Sequence, residues 1–584
     1  MEVGEKPDMP GISGEHHSQV IETLDKLYEF EHEPVSEDKL QPAKYFAGLF
    51  AGEHVAATEF VIGTTFVAWG VSAKDVFVGL LLGNTMAVLM WALICTPIAV
   101  QTRLTLYWYL RKIAGPVTTA IYNFLNAVLF AILCGCMITV ASSAVRIPFN
   151  IPAQVHWYPQ DLRFVLVVIC VGAVVVTLAI LGFKKLAQFA TVCSPWLLMM
   201  FFAGAVATLP GLAKSVGIEI KSFGDFWTVA NKVIWTGSTP TGNPPMTFWQ
   251  VAAFAWVCNV PFHVCLSDMA LLRYAKKTSY GLFSILGMFL GHYLAWICAG
   301  VMAAAASVFV GTSILNLDSG GVAMQALGIC GIIAVIIAGW TTANPTLYRV
   351  GLGFQAIAGN LPRWLVTLLA GIATVIIACF PFVFTGLLQF VGYFGLLLMP
   401  VGAIVFTEHW IFPLIGFTRY WVSYKKLTVS WPAVATWAIG VAVALLLERT
   451  GILHLFYLLV PIWILSMALY IIFASMAGAR EKFDEPLKEQ TAADIASQQP
   501  VTQEGSSALA GENATAAPDI VLLLSRIAAV GSLLACLALP LWVYFSKPEN
   551  YERNFAAFKT ILIWPTVIYF ISGTIWAVKR NKEK

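Results

Sequence analysis

Charge is what this chain has least of: 11% of its 584 residues are Asp, Glu, Lys or Arg, against 59% apolar. A soluble globular surface needs about a quarter charged residues, so water is excluded as the main solvent. The signatures of enzymes are missing too. No paired catalytic carboxylates, HExxH metal motif, GxSxG elbow or phosphate-binding glycine loop occurs, and the histidines are scattered. The chain reads as a non-enzyme without a cofactor, and the lack of a Walker sequence excludes an ATP-driven motor within it. The net charge of +3 is spread over short loops without a basic stripe, which argues against a nucleic-acid partner. The eleven cysteines lie in or beside apolar runs, with Cys134 and Cys136 the one close pair. That pattern excludes a secreted disulfide framework and a zinc spacing and suits small apolar packing. Residues 1–43 are polar and acidic, without the apolar core of a cleaved signal peptide, so the first spanning helix is expected to act as the signal.

What is present is a succession of apolar runs, each about as long as a helix needs to cross a bilayer, roughly fourteen in all. They lie near 46–72, 76–101, 117–145, 164–183, 188–212, 246–267, 280–310, 322–352, 364–380, 384–410, 431–448, 453–475, 519–545 and 557–578. Basic residues follow the even-numbered runs: Arg103, Arg111 and Lys112; Lys184 and Lys185; Arg273, Lys276 and Lys277; Arg363; Arg419, Lys425 and Lys426; and Lys579, Arg580, Lys582 and Lys584. Arg146, Arg163 and the stretch from Lys214 to Lys232 run against this bias. The positive-inside rule then predicts a multi-pass protein of the plasma (inner) membrane with both termini in the cytoplasm. The expected division is a cytoplasmic tail over 1–45, a twelve-span body over 46–475, a disordered cytoplasmic linker over 476–518, and a two-span appendage with a basic tail over 519–584. The appendage carries few polar residues at mid-depth beyond Ser532 and is given no transport role.

Polar side chains at mid-membrane are costly, so the interruptions of the apolar pattern are informative. In the first span, AGEHVAATEFVIGTTFVAWG places Glu53, His54, Thr58, Glu59, Thr64 and Thr65. Glu53 and His54 are expected at the watery cytoplasmic boundary; Glu59 lies deeper and is the candidate for proton coupling, beside a locally unwound backbone. In the sixth span, Asn259 and Pro261 fall mid-run, and proline's missing amide predicts a break that makes a binding site there. Asp268 is expected to reach the cytoplasmic interface and pair with Arg273. In the eighth span, Thr341, Thr342, Asn344 and Thr346 surround Pro345; hydroxyl and amide oxygens are hard ligands suited to sodium. The first and sixth spans head two five-span halves, 1–5 and 6–10, as expected of an inverted repeat with a midplane site.

At these residues the chain resembles the nucleobase:cation symporter-1 family of cytosine and purine permeases. GWTTANPTLY (339–348) is similar to that family's eighth-span motif, and GVSAKDVFVGLLLGNTM (70–86), LRYAKK (272–277) and MPVGAIVFTEHW (399–410) resemble its other junctions. The resemblance covers about 45–475. It implies an all-α polytopic membrane protein with a LeuT-type inverted repeat plus about four further helices, importing a small nucleobase-like heterocycle with a cation, sodium before proton. It further implies ion ligands at the Thr341 and Thr342 hydroxyls and at the carbonyls of Ala338, Glu53 and Ala56, with Asn344 and Thr346 facing substrate. The family's stacking tryptophan of the third span falls at Leu133, leaving Phe130 one turn away; the stacking aromatic of the sixth span is Trp256 or Phe262. The fold resemblance favours a flat heterocycle, while these departures leave cytosine itself unsupported and keep open a same-fold carrier of an amino acid or vitamin-like heterocycle. A non-transporting sensor or scaffold is the reading from another class.

Overall fold

The computed structural model describes residues 32–483 and 519–582. Most of the expected N-terminal tail, and the expected linker from residue 484 on, lie outside them. Where a chain has no water to satisfy its peptide groups, the helix is the structure that satisfies them locally. Among the described residues every regular element is helical, with two isolated bridges, Gln41 to Ala275 and Ser72 to Thr236, as the exceptions.

The helices that matter for the site are α1 (Ala43–His54), α2 (Thr58–Ala68), α3 (Ala73–Thr102), α4 (Pro116–Val145), α5 (Leu162–Ile180), α6 (Phe183–Ser215), α7 (Phe248–Val257) and α8 (Thr278–Val310). They continue with α9 (Ser319–Leu327), α10 (Ile329–Gln355), α11 (Arg363–Ala378), α12 (Val383–Leu414), α13 (Trp431–Arg449), α14 (Leu459–Ala477), α15 (Ile520–Tyr544), α16 (Tyr551–Ile561) and α17 (Ile563–Lys582). Among the described residues, eleven helices are long and apolar enough to cross a membrane. The other three runs expected to span behave differently. Run 46–72 is split into α1 and α2, run 246–267 breaks after α7, and run 364–380 is the 16-residue α11. The run at 322–352 also divides, because Gly328 takes φ +62 and separates α9 from α10.

Side-chain caps fix several starts. Ser72 accepts the Asp75 amide ahead of α3, Thr247 and Gln250 form a capping box at α7, and Asp318 accepts the Gly321 amide at α9. Asp318 also holds Arg146, at the end of α4, through two bonds of 2.7 Å, tying these helix ends together.

Packing repeats between the two halves. The third and eighth spans, α4 and α10, lie along one another; α5 packs on α11, α4 on α11, and α5 on α10. Against this scaffold stands a second group in which α7 packs on α3, α2 on α8, and α1 on α6 and α8. Small residues permit the closest approach, as membrane helix pairs require. A Cβ added at Gly339 would stand 2.6 Å from the Ala141 Cβ and 3.0 Å from the Met137 carbonyl oxygen. Gly339→Leu is therefore expected to force α10 off α4 at a cost of about 1–3 kcal/mol, read as a lower unfolding temperature of the detergent-purified protein; an unchanged midpoint would refute this packing.

The appendage docks on the fifth span. α15 and α17 pack on each other and on α6, where Trp196 donates to Thr566 (3.1 Å) and the Tyr569 hydroxyl donates to the Val192 carbonyl (2.7 Å).

Candidate functional site

Two helix breaks meet at the centre of the molecule. The first lies at Val55–Ala57, between α1 and α2. It frees the Glu53 carbonyl, which accepts the Thr342 hydroxyl of α10 at 2.9 Å. The Thr342 hydroxyl also stands 3.0 Å from the Ala338 carbonyl, and the Thr341 hydroxyl 3.1 Å from that same carbonyl. Four oxygens of the expected ion-ligand set thus come together, and all five residues of that set are buried. The fifth, Ala56, sits in the break, its carbonyl accepting the Glu59 amide at 3.3 Å. α10 runs through Pro345, which has no amide to offer the Thr341 carbonyl and so leaves another oxygen free in this region.

The second break follows Val257. Pro261 occupies the first turn of a four-residue helix, Val260–His263, where its missing amide costs nothing, so the break falls just before it, at Cys258–Asn259. The chain then turns again through Leu266, at φ +64, before Met269–Leu272. A left-handed leucine is a strained conformation that surrounding packing must hold.

Between the breaks lies a cavity of about 50 Å³. Glu53, Ala56 and Glu59 from the first span, Asn259 and Phe262 from the sixth, Leu133 from the third and Thr342 from the eighth all line it. Phe130, Trp256, Ala338, Thr341, Asn344 and Thr346 do not. Phe130 packs beneath, 5.4 Å from the Phe262 ring and 4.9 Å from Phe394. The Thr346 hydroxyl returns to the Thr342 carbonyl at 2.8 Å, and the Asn344 amide is buried with no partner among the described residues. A second pocket of about 330 Å³, with Thr64, Thr65 and Trp69 among its walls, shares Leu387 with the cavity's lining.

Two expectations are corrected. Glu53 and His54 do not sit in boundary water: they are 4% and 3% exposed, because α1 begins at Ala43 and carries both inward to its end at the break. Asp268 does not reach an interface either, at 1% exposed. Both carboxylates instead meet Arg349 of α10, which is fully buried. Arg349 gives Nη1 to Glu53 Oε1 at 2.6 Å, and Nη2 to Glu53 Oε2 at 3.1 Å and to Asp268 Oδ1 at 2.5 Å. The Trp91 indole donates to the other Asp268 oxygen at 2.6 Å, and the guanidinium lies 4.8 Å from the Phe262 ring centre. Arg273 turns to the hydroxyls of Tyr274 (3.2 Å) and Tyr348 (3.4 Å).

Sequence reasoning missed Arg349, His292, Trp296, Phe254 and Phe394. Arg349 had a signal, a lone charge within a long apolar run. His292 and Trp296 are one helical turn apart on α8, stacked at 4.4 Å, and both turn to Glu59. The Trp296 indole donates to Glu59 Oε2, and His292 Nε2 lies 3.6 Å from Oε1.

No protein-family model and no curated protein matches the sequence. Solved structures do match. Mhp1, a nucleobase-cation-symport-1 family transporter, closed with bromovinylhydantoin bound, superposes with a TM-score of 0.60 at 18% identity, over 78% of this chain and 96% of its own. The inward-facing conformation of Mhp1 gives 0.58 at 16% identity, over 77% and 94%. A Na+-coupled sialic acid symporter in a substrate-bound outward-open state gives 0.53 at 12%, over 76% and 90%. The chain is thus a multi-pass, all-helical membrane protein with the LeuT-type fold shared by Mhp1 and this symporter.

Proposed function

We propose that the chain is a secondary active transporter that imports a small nucleobase-like heterocycle, of the purine or pyrimidine class, together with a cation by alternating access. The observation that carries this reading is the oxygen cluster of Glu53, Ala338, Thr341 and Thr342 next to a small, aromatic-walled cavity where two broken helices meet. Hard oxygens from backbone and hydroxyl groups suit sodium. The sodium ion would be held there, with Ala56 completing the set. Glu59, buried against the cavity, is the rival coupling group if the driving ion is the proton. The bromovinylhydantoin of Mhp1 and the sodium of the sialic acid symporter support a flat solute and a sodium partner. Phe262 and Asn259 would contact the solute directly; Phe130 would act through Phe262. The protein would sit in the plasma membrane with both termini in the cytoplasm, as the loop charges suggest.

One observation favours a different solute on the same fold: the third span presents Leu133, not an aromatic, to the cavity. An amino acid or vitamin-like heterocycle would suit such a wall. Uptake of labelled cytosine, uracil, hypoxanthine, allantoin, hydantoins and thiamine-like pyrimidines into permease-deficient cells, with and without sodium, tests both readings. Sodium-dependent accumulation of one of these is expected. No accumulation of any of them by well-expressed protein would sink the heterocycle reading.

A further inference from the structure

The atoms around Asn259 fix which way its amide points. Asn259 stands at the sixth-span break, 3% exposed, and lines the cavity. Its Nδ2 lies 3.5 Å from Met288 Sδ, 3.3 Å from Cys258 Sγ and 3.0 Å from His292 Nδ1. A thioether can only accept. The Cys258 thiol donates its proton to the Ala255 carbonyl at 3.4 Å, so toward Asn259 it too has only lone pairs to offer. An amide turned end for end would set its oxygen against both sulfurs with no proton between them. The nitrogen therefore faces this trio and donates to it.

Those three are the side-chain bonds of Asn259 among the described residues, and the nitrogen makes all of them. Oδ1 is left for the cavity, where it can only accept. Two neighbouring donors are already engaged: the Thr342 hydroxyl faces the Glu53 and Ala338 carbonyls, and the Cys258 thiol faces Ala255. Neither lysine nor arginine lines the cavity. An amide oxygen taken out of bulk water needs a donor, and a solute filling the cavity is placed to supply it. An amide free to rotate serves donors and acceptors alike. One pinned by three acceptors does not, because turning it to meet an acceptor would strand all three.

We propose that Asn259 is a specificity-determining residue of the solute site. Held by Met288, Cys258 and His292, it presents a fixed carbonyl oxygen that selects a ring with an N–H group on its edge, whether amino, lactam or ureide. A ring with an acceptor or a carbon at that place is rejected, because Oδ1 is then left unpaired. This rests on the transporter reading and deepens it: the substrate class narrows from heterocycles in general to those that donate to Oδ1 while the ring lies against Phe254, Phe262 and Phe394.

The test uses purified full-length protein at fixed sodium and pairs of near-isosteres that differ at one donor: adenine and 6-methylpurine, hydantoin and oxazolidine-2,4-dione, uracil and 1,3-oxazine-2,4-dione. Affinities are read from ligand-induced thermal shifts of wild type and Asn259→Ala. In at least one pair the N–H member is expected to bind wild type about tenfold or more tighter than its isostere. In Asn259→Ala that ratio is expected to fall to about one, whereas a general loss of packing would weaken both members alike and leave the ratio unchanged. The wild-type ratios stand even if the variant fails to fold. Isosteres binding wild type as tightly as the N–H members, or a ratio that survives in folded Asn259→Ala, would overturn the proposal and leave the heterocycle reading standing. Failure of every member to bind monodisperse protein would overturn both.

Discussion

Replacing Arg349 with methionine is expected to cost about 3–5 kcal/mol of stability, the usual penalty for removing one partner of a buried ion pair. The size follows from what would remain. Glu53 and Asp268 are 4% and 1% exposed and share one guanidinium; without it, two carboxylates would face each other in a low-dielectric interior. Lysine will not rescue the site, because a point ammonium cannot reproduce the forked geometry that reaches both acids. The combined variant Glu53→Gln, Arg349→Met, Asp268→Asn buries no charge and is expected to unfold close to wild type. Thermal unfolding of detergent-purified protein distinguishes these cases: Arg349→Met unfolding at the wild-type temperature would show that the triad is not ionic. The bridge also ties α1 and the segment after the sixth-span break to α10.

Thr342→Ala is expected to weaken the response to sodium by about tenfold or more, equivalent to about 1.4 kcal/mol. The hydroxyl stands within 3.0 Å of two carbonyls from different helices, and its removal deletes one oxygen of the proposed set and the bond between α1 and α10. Thr342→Ser keeps the oxygen and should keep the response. Sodium-induced stabilisation, with potassium as control, is the measurement. An alanine variant that responds to sodium as wild type does would remove Thr342 from the ion site. If uptake in that variant also followed a pH gradient, the coupling would move to Glu59.

The legible part of the site was local. The polar interruptions near residues 53–59, 259–261 and 341–346 are buried and each contributes to the cavity wall, because polar groups in an apolar run mark where a helix faces protein and not lipid. Which side chain faces the cavity was not local. Phe262 lines it while Trp256 and Phe130 do not, and Asn344 turns away although Thr342, two residues earlier, lines the cavity. Adjacent residues on a helix point about 100° apart, so a polar cluster names a stretch and leaves the face open. His292 carried no signal, because a lone histidine in an apolar run is informative only once its neighbours are known.

Composition alone determined the solvent, the helical class and most helix positions, since apolar run length against bilayer thickness is a property of consecutive residues. Tertiary structure alone decided that Glu53 would be buried, that Arg349 would hold it together with Asp268, and that His292 and Trp296 would both turn to Glu59. Those partners lie between 81 and 296 residues apart. At such separations, only the way one helix is laid against another determines which charge meets which.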